Sequence, residues 1–85
     1  MKLKDSFILS EVGEDFLLLS TDNTFSGVVR LNHTAKFIIE CLQKDTAKED
    51  ILRQMAEKYD AKRDELAESV EITIKTLREI GALEE

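Results

Sequence analysis

His33 and Cys41, the single histidine and the single cysteine, are the first candidates in this sequence for a general base, a nucleophile or a metal ligand. If both lie on one helix, their separation of eight positions corresponds to roughly 12 Å along the helix axis. They cannot then form the hydrogen-bonded nucleophile–base pair of covalent catalysis. Two such ligands do not complete a zinc site either. The sequence therefore predicts no catalytic residue and no metal site.

The sequence also contains no motif that would bind a cofactor. The only glycines, Gly13, Gly27 and Gly81, are too far apart in the chain to form a phosphate-binding loop. The many carboxylates lie mainly on predicted helix surfaces that face water. We therefore expect a protein that is not an enzyme by itself and that binds no cofactor.

Length and charge limit the remaining classes. The 85 residues are predicted to form a single domain, residues 1–85, with 12 Lys and Arg against 18 Asp and Glu and a net charge of -6. This acidic balance argues against nucleic acid as a partner, because phosphate binding depends on clustered basic residues. No apolar run approaches the ~18 residues of a membrane span, and no signal-peptide core follows Met1. We expect a cytoplasmic domain with no membrane partner.

The first third of the chain favours β-strands. Short runs rich in β-branched and aromatic residues predict strands at Phe7–Val12, Phe16–Thr21 and Val28–Leu31. Gly13 lies in a tight turn between the first two runs, and a polar loop ends at Gly27 before the third. Short connections make an antiparallel three-stranded meander the economical topology.

Alternation along the third predicted strand assigns its two faces. Val29 and Leu31 should point to the core, and Val28 and Arg30 to the opposite face. Because this strand is the last of the meander, its outer edge should present unpaired backbone N–H and C=O groups.

Helical periodicity begins after Asn32, which is predicted to be the N-cap of a first helix extending roughly from Thr34 to Gln43. Thr46 and Glu49 predict a capping box for a second helix. A third helix is expected to begin between positions 60 and 64 and to end at about Ile80, before Gly81. Three strands followed by three helices predict the α+β class.

The third helix has a predicted core side and a small, polar side. Its core stripe is predicted to contain Leu66, Val70, Thr73, Leu77 and Ile80, with Ile74 beside it. Ser69 and Thr76 fall on the other flank, and Ile72 lies further round. Since a core helix gains from larger apolar residues, the small residues Ser69, Thr73 and Thr76 are interpreted either as a groove wall or as relief of crowding against the sheet.

A resemblance to a known family emerges from these same segments. The block Val28–Asn32, followed by Thr34-Ala35 and by Ile38–Gln43, resembles the strand-into-helix block of the PqqD-like proteins. The second helix with its Tyr59-Asp60 exit and the last helix with its closing Gly-x-Leu are similar to the family in order and spacing. The resemblance extends over nearly the whole chain.

The resemblance implies a winged helix-turn-helix-like fold of three strands and three helices, and the role of a recognition element for ribosomally made, post-translationally modified peptides. Such a protein binds the leader segment of a precursor peptide and presents it to a modifying enzyme, often a radical-SAM enzyme. In the family the leader adds a strand beside the third strand, in a groove shared with the third helix. The peptide-binding residues expected on this basis are Val28, Val29, Arg30, Leu31, Ser69, Ile72, Thr73 and Thr76.

One departure from the family pattern bears on the product. The loop from Thr21 to Ser26 lacks the Pro-Glu-Gly turn associated with pyrroloquinoline quinone pathways. We therefore expect a different peptide product.

Two alternative functions follow from the element order. A winged-helix DNA-binding regulator would use the same fold, but residues 46–85 contain 7 basic and 11 acidic residues, a net charge of -4. A recognition helix should instead be basic on its exposed face.

A homodimeric structural adaptor is the second alternative, because an exposed sheet edge can pair with a second copy. The sequence leaves this alternative open.

Overall fold

A computed structural model describes residues 1–85 as five strands and three helices. In chain order these elements are β1 (Lys2–Leu3), β2 (Phe7–Val12), β3 (Asp15–Ser20), β4 (Val28–Leu31), α1 (His33–Cys41), α2 (Lys48–Lys58), α3 (Arg63–Glu79) and β5 (Leu83–Glu84). Strands β2, β3 and β4 form an antiparallel sheet in that order, followed by the three helices. The predicted α+β class and three-stranded meander are confirmed, and the predicted third strand is β4.

The register of the sheet separates a core face from an outer face. Leu18 on β3 pairs with Leu9 on β2 and with Val29 on β4, and it is completely buried. Val29 and Leu31 are half-buried against the core, as their alternation predicted. The other face is more open, because the side chains one position away along each strand point outward.

Local capping explains where α1 begins. The side chain of Asn32 accepts a hydrogen bond from the backbone N–H of Ala35, so the predicted N-cap is confirmed. The predicted capping box of α2 is wrong: Ala47 is the N-cap, and no side chain caps the helix. The N–H of Thr46 donates to the carbonyl of Met1 at 2.9 Å, which holds Thr46 outside the helix.

The buried stripe of α3 is rotated from the predicted one. Ile74, expected beside the stripe, is completely buried, whereas Thr73 and Ile80 are only half-buried. The helix ends at Glu79, and Gly81 follows with a φ of +75°, a conformation that glycine adopts without strain. The rotation leaves Thr73 at the boundary between the core and an open surface.

The core contains only apolar side chains and is closed by a second, small sheet that the sequence did not predict. Strands β1 and β5 pair antiparallel, with Leu3 opposite Leu83, and both leucines are buried. Strand β5 contains Leu83, the last residue of the closing Gly-x-Leu sequence. None of the three helices combines the length and the apolarity needed to cross a lipid bilayer.

Candidate functional site

An open groove lies between the free edge of β4 and the helix α3. Its volume is about 230 Å³, and half of its twelve lining residues are hydrophobic. The lining residues are Val29, Arg30, Leu31, Asn32, Thr34, Ala35, Ile39, Ser69, Ile72, Thr73, Thr76 and Leu77. A concave, largely apolar surface with a few polar groups is typical of a binding site.

Three elements position the groove. Strand β4 is hydrogen-bonded to β3 on one side only, so its other edge faces the groove. Helix α1 follows β4 after Asn32 and forms the floor through Thr34 and Ala35 of its first turn and Ile39 of its second. Helix α3 packs against α1 and α2 and contributes a wall in which Ser69, Thr73 and Thr76 repeat at helical spacing.

Seven of the eight residues expected from the resemblance line this one groove, and Val28 does not. The side chain of Val28 is 52% exposed and lies on the outer face of the sheet, so only its backbone belongs to the β4 edge. Asn32, Thr34, Ala35, Ile39 and Leu77 line the groove but were not among the expected residues. The Asn32 cap predicts that α1 begins directly after β4, but the sequence does not give the angle between the two elements that brings Thr34, Ala35 and Ile39 into the groove.

The groove carries a single charged lining residue, Arg30. Its guanidinium forms an ion pair with Asp15 at 3.0 Å on the outer face of the sheet. On the α3 wall, Ile72 at the rim is 58% exposed, whereas the hydroxyl residues Ser69, Thr73 and Thr76 are half-buried. Hydroxyl groups both donate and accept hydrogen bonds, so this wall suits an uncharged polar ligand such as a peptide backbone.

The loop before β4 is fixed by Asp22. Its carboxylate accepts hydrogen bonds from the backbone N–H of Thr24 and the hydroxyl of Ser20, each at 2.8 Å. Hydrogen bonds from Thr24, followed by that from Ser20, lower the pKa of Asp22 from 3.8 to about 2. Phe25, later in this loop, packs against the core ahead of β4.

The two side chains with catalytic chemistry lie at opposite ends of α1. The ring of His33 packs edge-on against Phe16, with 4.9 Å between the ring centroids. Cys41 is half-buried, and its sulfur lies 3.7 Å from the side-chain oxygen of Gln54. Burial, with a smaller effect of Glu40, raises the pKa of the Cys41 thiol. Neither residue lines the groove.

A second hollow, of about 480 Å³, lies between the end of α1 and the start of α2. It is larger than the groove, but only one of its nine lining residues is hydrophobic. Small-molecule and peptide sites bury apolar surface, so the smaller groove is the better candidate. No group of three or more His, Cys, Asp and Glu side chains is arranged to hold a metal ion.

With this fold and groove, the chain matches the family described as Coenzyme PQQ synthesis protein D (PqqD) over residues 7–83. The match includes every element from β2 to α3. The chain belongs to the PqqD family. No curated protein matches its sequence significantly.

Two solved structures share the fold. "TbiB1 in Complex with the TbiA(beta) Leader Peptide" superposes with a TM-score of 0.79 and 18% identity, over 99% of this chain and 95% of that one. "Lasso peptide synthetase B1 complexed with the leader peptide" superposes with a TM-score of 0.75 and 18% identity, over 95% of this chain and 93% of that one. Both comparisons support the winged helix-turn-helix-like fold over nearly the whole chain.

Proposed function

We propose that this protein binds the leader segment of a ribosomally made precursor peptide and presents the precursor to a modifying enzyme, a radical-SAM enzyme or another maturase. The leader forms a fourth strand beside β4, with alternate side chains in the groove. The observation that carries the proposal is the free edge of β4 directly beside an apolar groove. Family membership supports it, and so do the two similar structures, both of which are complexes with a leader peptide.

Strand addition suits both walls of the groove. The backbone of β4 supplies hydrogen bonds to any extended peptide, and side-chain pockets supply the selectivity. Every second side chain of the added strand points towards the wall formed by Ser69, Ile72, Thr73 and Thr76. Those side chains can bury apolar atoms against Ile72 and form hydrogen bonds with the hydroxyls of the α3 wall. The proposed contact residues are therefore the groove-lining residues of β4 and α3, together with the backbone of Val28.

We propose that the domain contributes binding without catalysis. A nucleophilic cysteine is normally activated by a lowered pKa, and the pKa of Cys41 is raised. His33 lies at the other end of α1 and outside the groove. The leader is held away from both residues, so the chemistry belongs to the partner enzyme and needs no cofactor on this chain.

Charge disfavours the alternative of a DNA-binding regulator. In a winged-helix regulator the recognition helix should be basic on its exposed face. The charged residues of α3 are all exposed, and three are basic against five acidic. Such a helix would repel the phosphate backbone of DNA. A peptide lacks the dense negative charge of the DNA backbone and is therefore more compatible with the exposed face of α3.

The proposal is tested by titrating the purified protein with a synthetic leader peptide of the precursor encoded beside it, with and without a chelator. We expect saturable binding that the chelator does not change. A scrambled peptide of the same composition is the control for non-specific binding. Absence of saturable binding, equal binding of the scrambled peptide or loss of binding with the chelator would contradict the proposal.

A matched pair of variants places the binding in the groove. Ile72→Lys puts a long charged side chain at the rim and should weaken leader binding at least tenfold. Ala56→Lys adds the same charge at an exposed position of α2 and should leave the affinity unchanged. Equal affinities of the two variants would exclude the α3 wall from the site.

A further inference from the structure

The outer face of the three-stranded sheet is unusually apolar for a surface that no part of this chain covers. Eight side chains point to this face: Ile8, Ser10, Val12, Asp15, Leu17, Leu19, Val28 and Arg30. Five of them are apolar, in a chain in which 35% of residues are charged. The two charged members, Asp15 and Arg30, neutralise each other in an ion pair. When one face of an antiparallel sheet is open to solvent, the residues that point to that face are normally polar.

A continuous apolar row crosses this face. Ile8 lies opposite Leu19 on the neighbouring strand, and Leu19 lies opposite Val28. Ile8 is 46% exposed, and Val12, further along β2, is 58% exposed. The helices lie on the other side of the sheet, where Leu18 is buried. Leu17 and Leu19 are half-buried, so the exposed apolar surface centres on Ile8, Val12 and Val28. Exposed apolar patches mark protein interaction sites.

We infer that this outer face, defined by those eight residues, is the docking surface for the modifying enzyme. The inference rests on the proposed function. A leader strand beside β4 places every second side chain on the same face, next to Val28 and Arg30. The proposed leader interface and the apolar row are thus continuous. An enzyme seated on this face contacts the domain and the bound leader together and so distinguishes the loaded domain from the empty one.

Area argues against a second copy of this chain as the occupant. With strands about 4.8 Å apart and a rise of about 3.3 Å per residue, a three-stranded face of this length covers roughly 300 Å². A face-to-face dimer would then bury only about 600 Å², below the 1,200–2,000 Å² or so of stable interfaces. A larger enzyme surface with apolar side chains at its centre can extend beyond the sheet and onto the leader strand.

The test separates docking from leader binding. Ile8→Lys and Val12→Lys place a charge on the outer face at β2, the strand farthest from the leader edge, and Ala56→Lys is the control on α2. For each protein, fluorescence anisotropy measures affinity for the labelled leader peptide. Surface plasmon resonance then measures affinity of the leader-loaded protein for the modifying enzyme encoded beside it. We expect both β2 variants to bind the leader as the wild type does and to bind the enzyme at least tenfold more weakly.

Each outcome has a distinct meaning. Enzyme affinity within twofold of the wild type for both β2 variants would overturn the inference and leave the proposed function intact. A wild type that binds no leader would overturn the proposed function itself. Analytical ultracentrifugation supplies a third readout: a wild-type dimer that Ile8→Lys converts to a monomer would show that a second copy covers the face and would overturn the inference.

Discussion

The side-chain oxygen of Asn32 lies 2.7 Å from the backbone nitrogen of Ala35, and this hydrogen bond begins α1 one residue after β4 ends. Both residues line the groove. The cap therefore determines where the helix that forms the groove floor begins. A single local interaction links the stability of α1 to the shape of the proposed peptide site.

Removing the cap should destabilise the protein. Asn32→Ala is expected to lower the free energy of unfolding by about 1 kcal/mol, because one N–H of the first helical turn loses its acceptor. For a domain of this size the thermal midpoint should fall by about 4–8 °C. Asn32→Asp retains an acceptor oxygen and is the control. Equal midpoints for Asn32→Ala and the wild type would show that the cap contributes nothing.

Filling the groove should block the leader without unfolding the domain. Thr73→Trp places a large ring in the groove and should weaken leader binding at least tenfold, while the thermal midpoint changes little. If Thr73 instead packed wholly in the core, the same change would overpack it and cost about 1–3 kcal/mol of stability. Affinity and thermal midpoint are measured together, with Thr73→Val as the similarly sized control. A folded Thr73→Trp variant with wild-type affinity would remove Thr73 from the site.

The ion pair between Arg30 and Asp15 should matter little for folding. Both side chains are largely exposed, so Arg30→Ala should change the free energy of unfolding by no more than about 1 kcal/mol. Arg30 borders the leader edge, and its loss should weaken leader binding by about twofold to fivefold through altered rim electrostatics. The difference should shrink in high salt. Arg30→Lys, which keeps the charge, is the control, and a salt-independent loss of affinity would contradict an electrostatic role.

The loop before β4 should be sensitive to acid through Asp22. Since folding lowers the pKa of Asp22 from 3.8 to about 2, the stability from its hydrogen bonds is present above pH 3.8 and is lost as the pH falls towards 2. Carboxyl chemical shifts should give a midpoint near 2 for Asp22 in the folded protein. Asp22→Asn should flatten the decline of the thermal midpoint over that pH range. A titration midpoint near 3.8 would show that the loop bonds do not form in solution.

The sequence was sufficient for the longer elements. Short runs of β-branched and aromatic residues located β2, β3 and β4, and helical spacing located α1 and α3. The two-residue strands β1 and β5 were missed, because two residues carry no periodic signal and their pairing joins opposite ends of the chain. The prediction of a capping box at Thr46 was wrong for a related reason. The backbone N–H of Thr46 bonds to Met1, which is distant in sequence, and this bond holds Thr46 outside the helix.

The α3 wall of the candidate site was easier to predict from the sequence than the floor formed by α1. The size and spacing of Ser69, Thr73 and Thr76 allowed two interpretations, a groove wall or relief of crowding against the sheet, and the family resemblance pointed to the groove. The floor from α1 was not predicted, because it depends on the angle at which the helix leaves the strand. The burial of Ile74 was also missed: helical spacing defined the stripe, but its rotation depends on how α3 packs against α1 and α2.

Amide hydrogen exchange measured by NMR, with and without the leader peptide, tests strand addition at β4 most directly. We expect new protection of outward-facing amides in Val28–Leu31, together with chemical-shift changes at Ser69, Ile72, Thr73 and Thr76. The far edge, β2, should keep its exchange rates. Saturable leader binding that leaves β4 and α3 undisturbed, or that protects β2 instead, would contradict the placement of the leader at this edge.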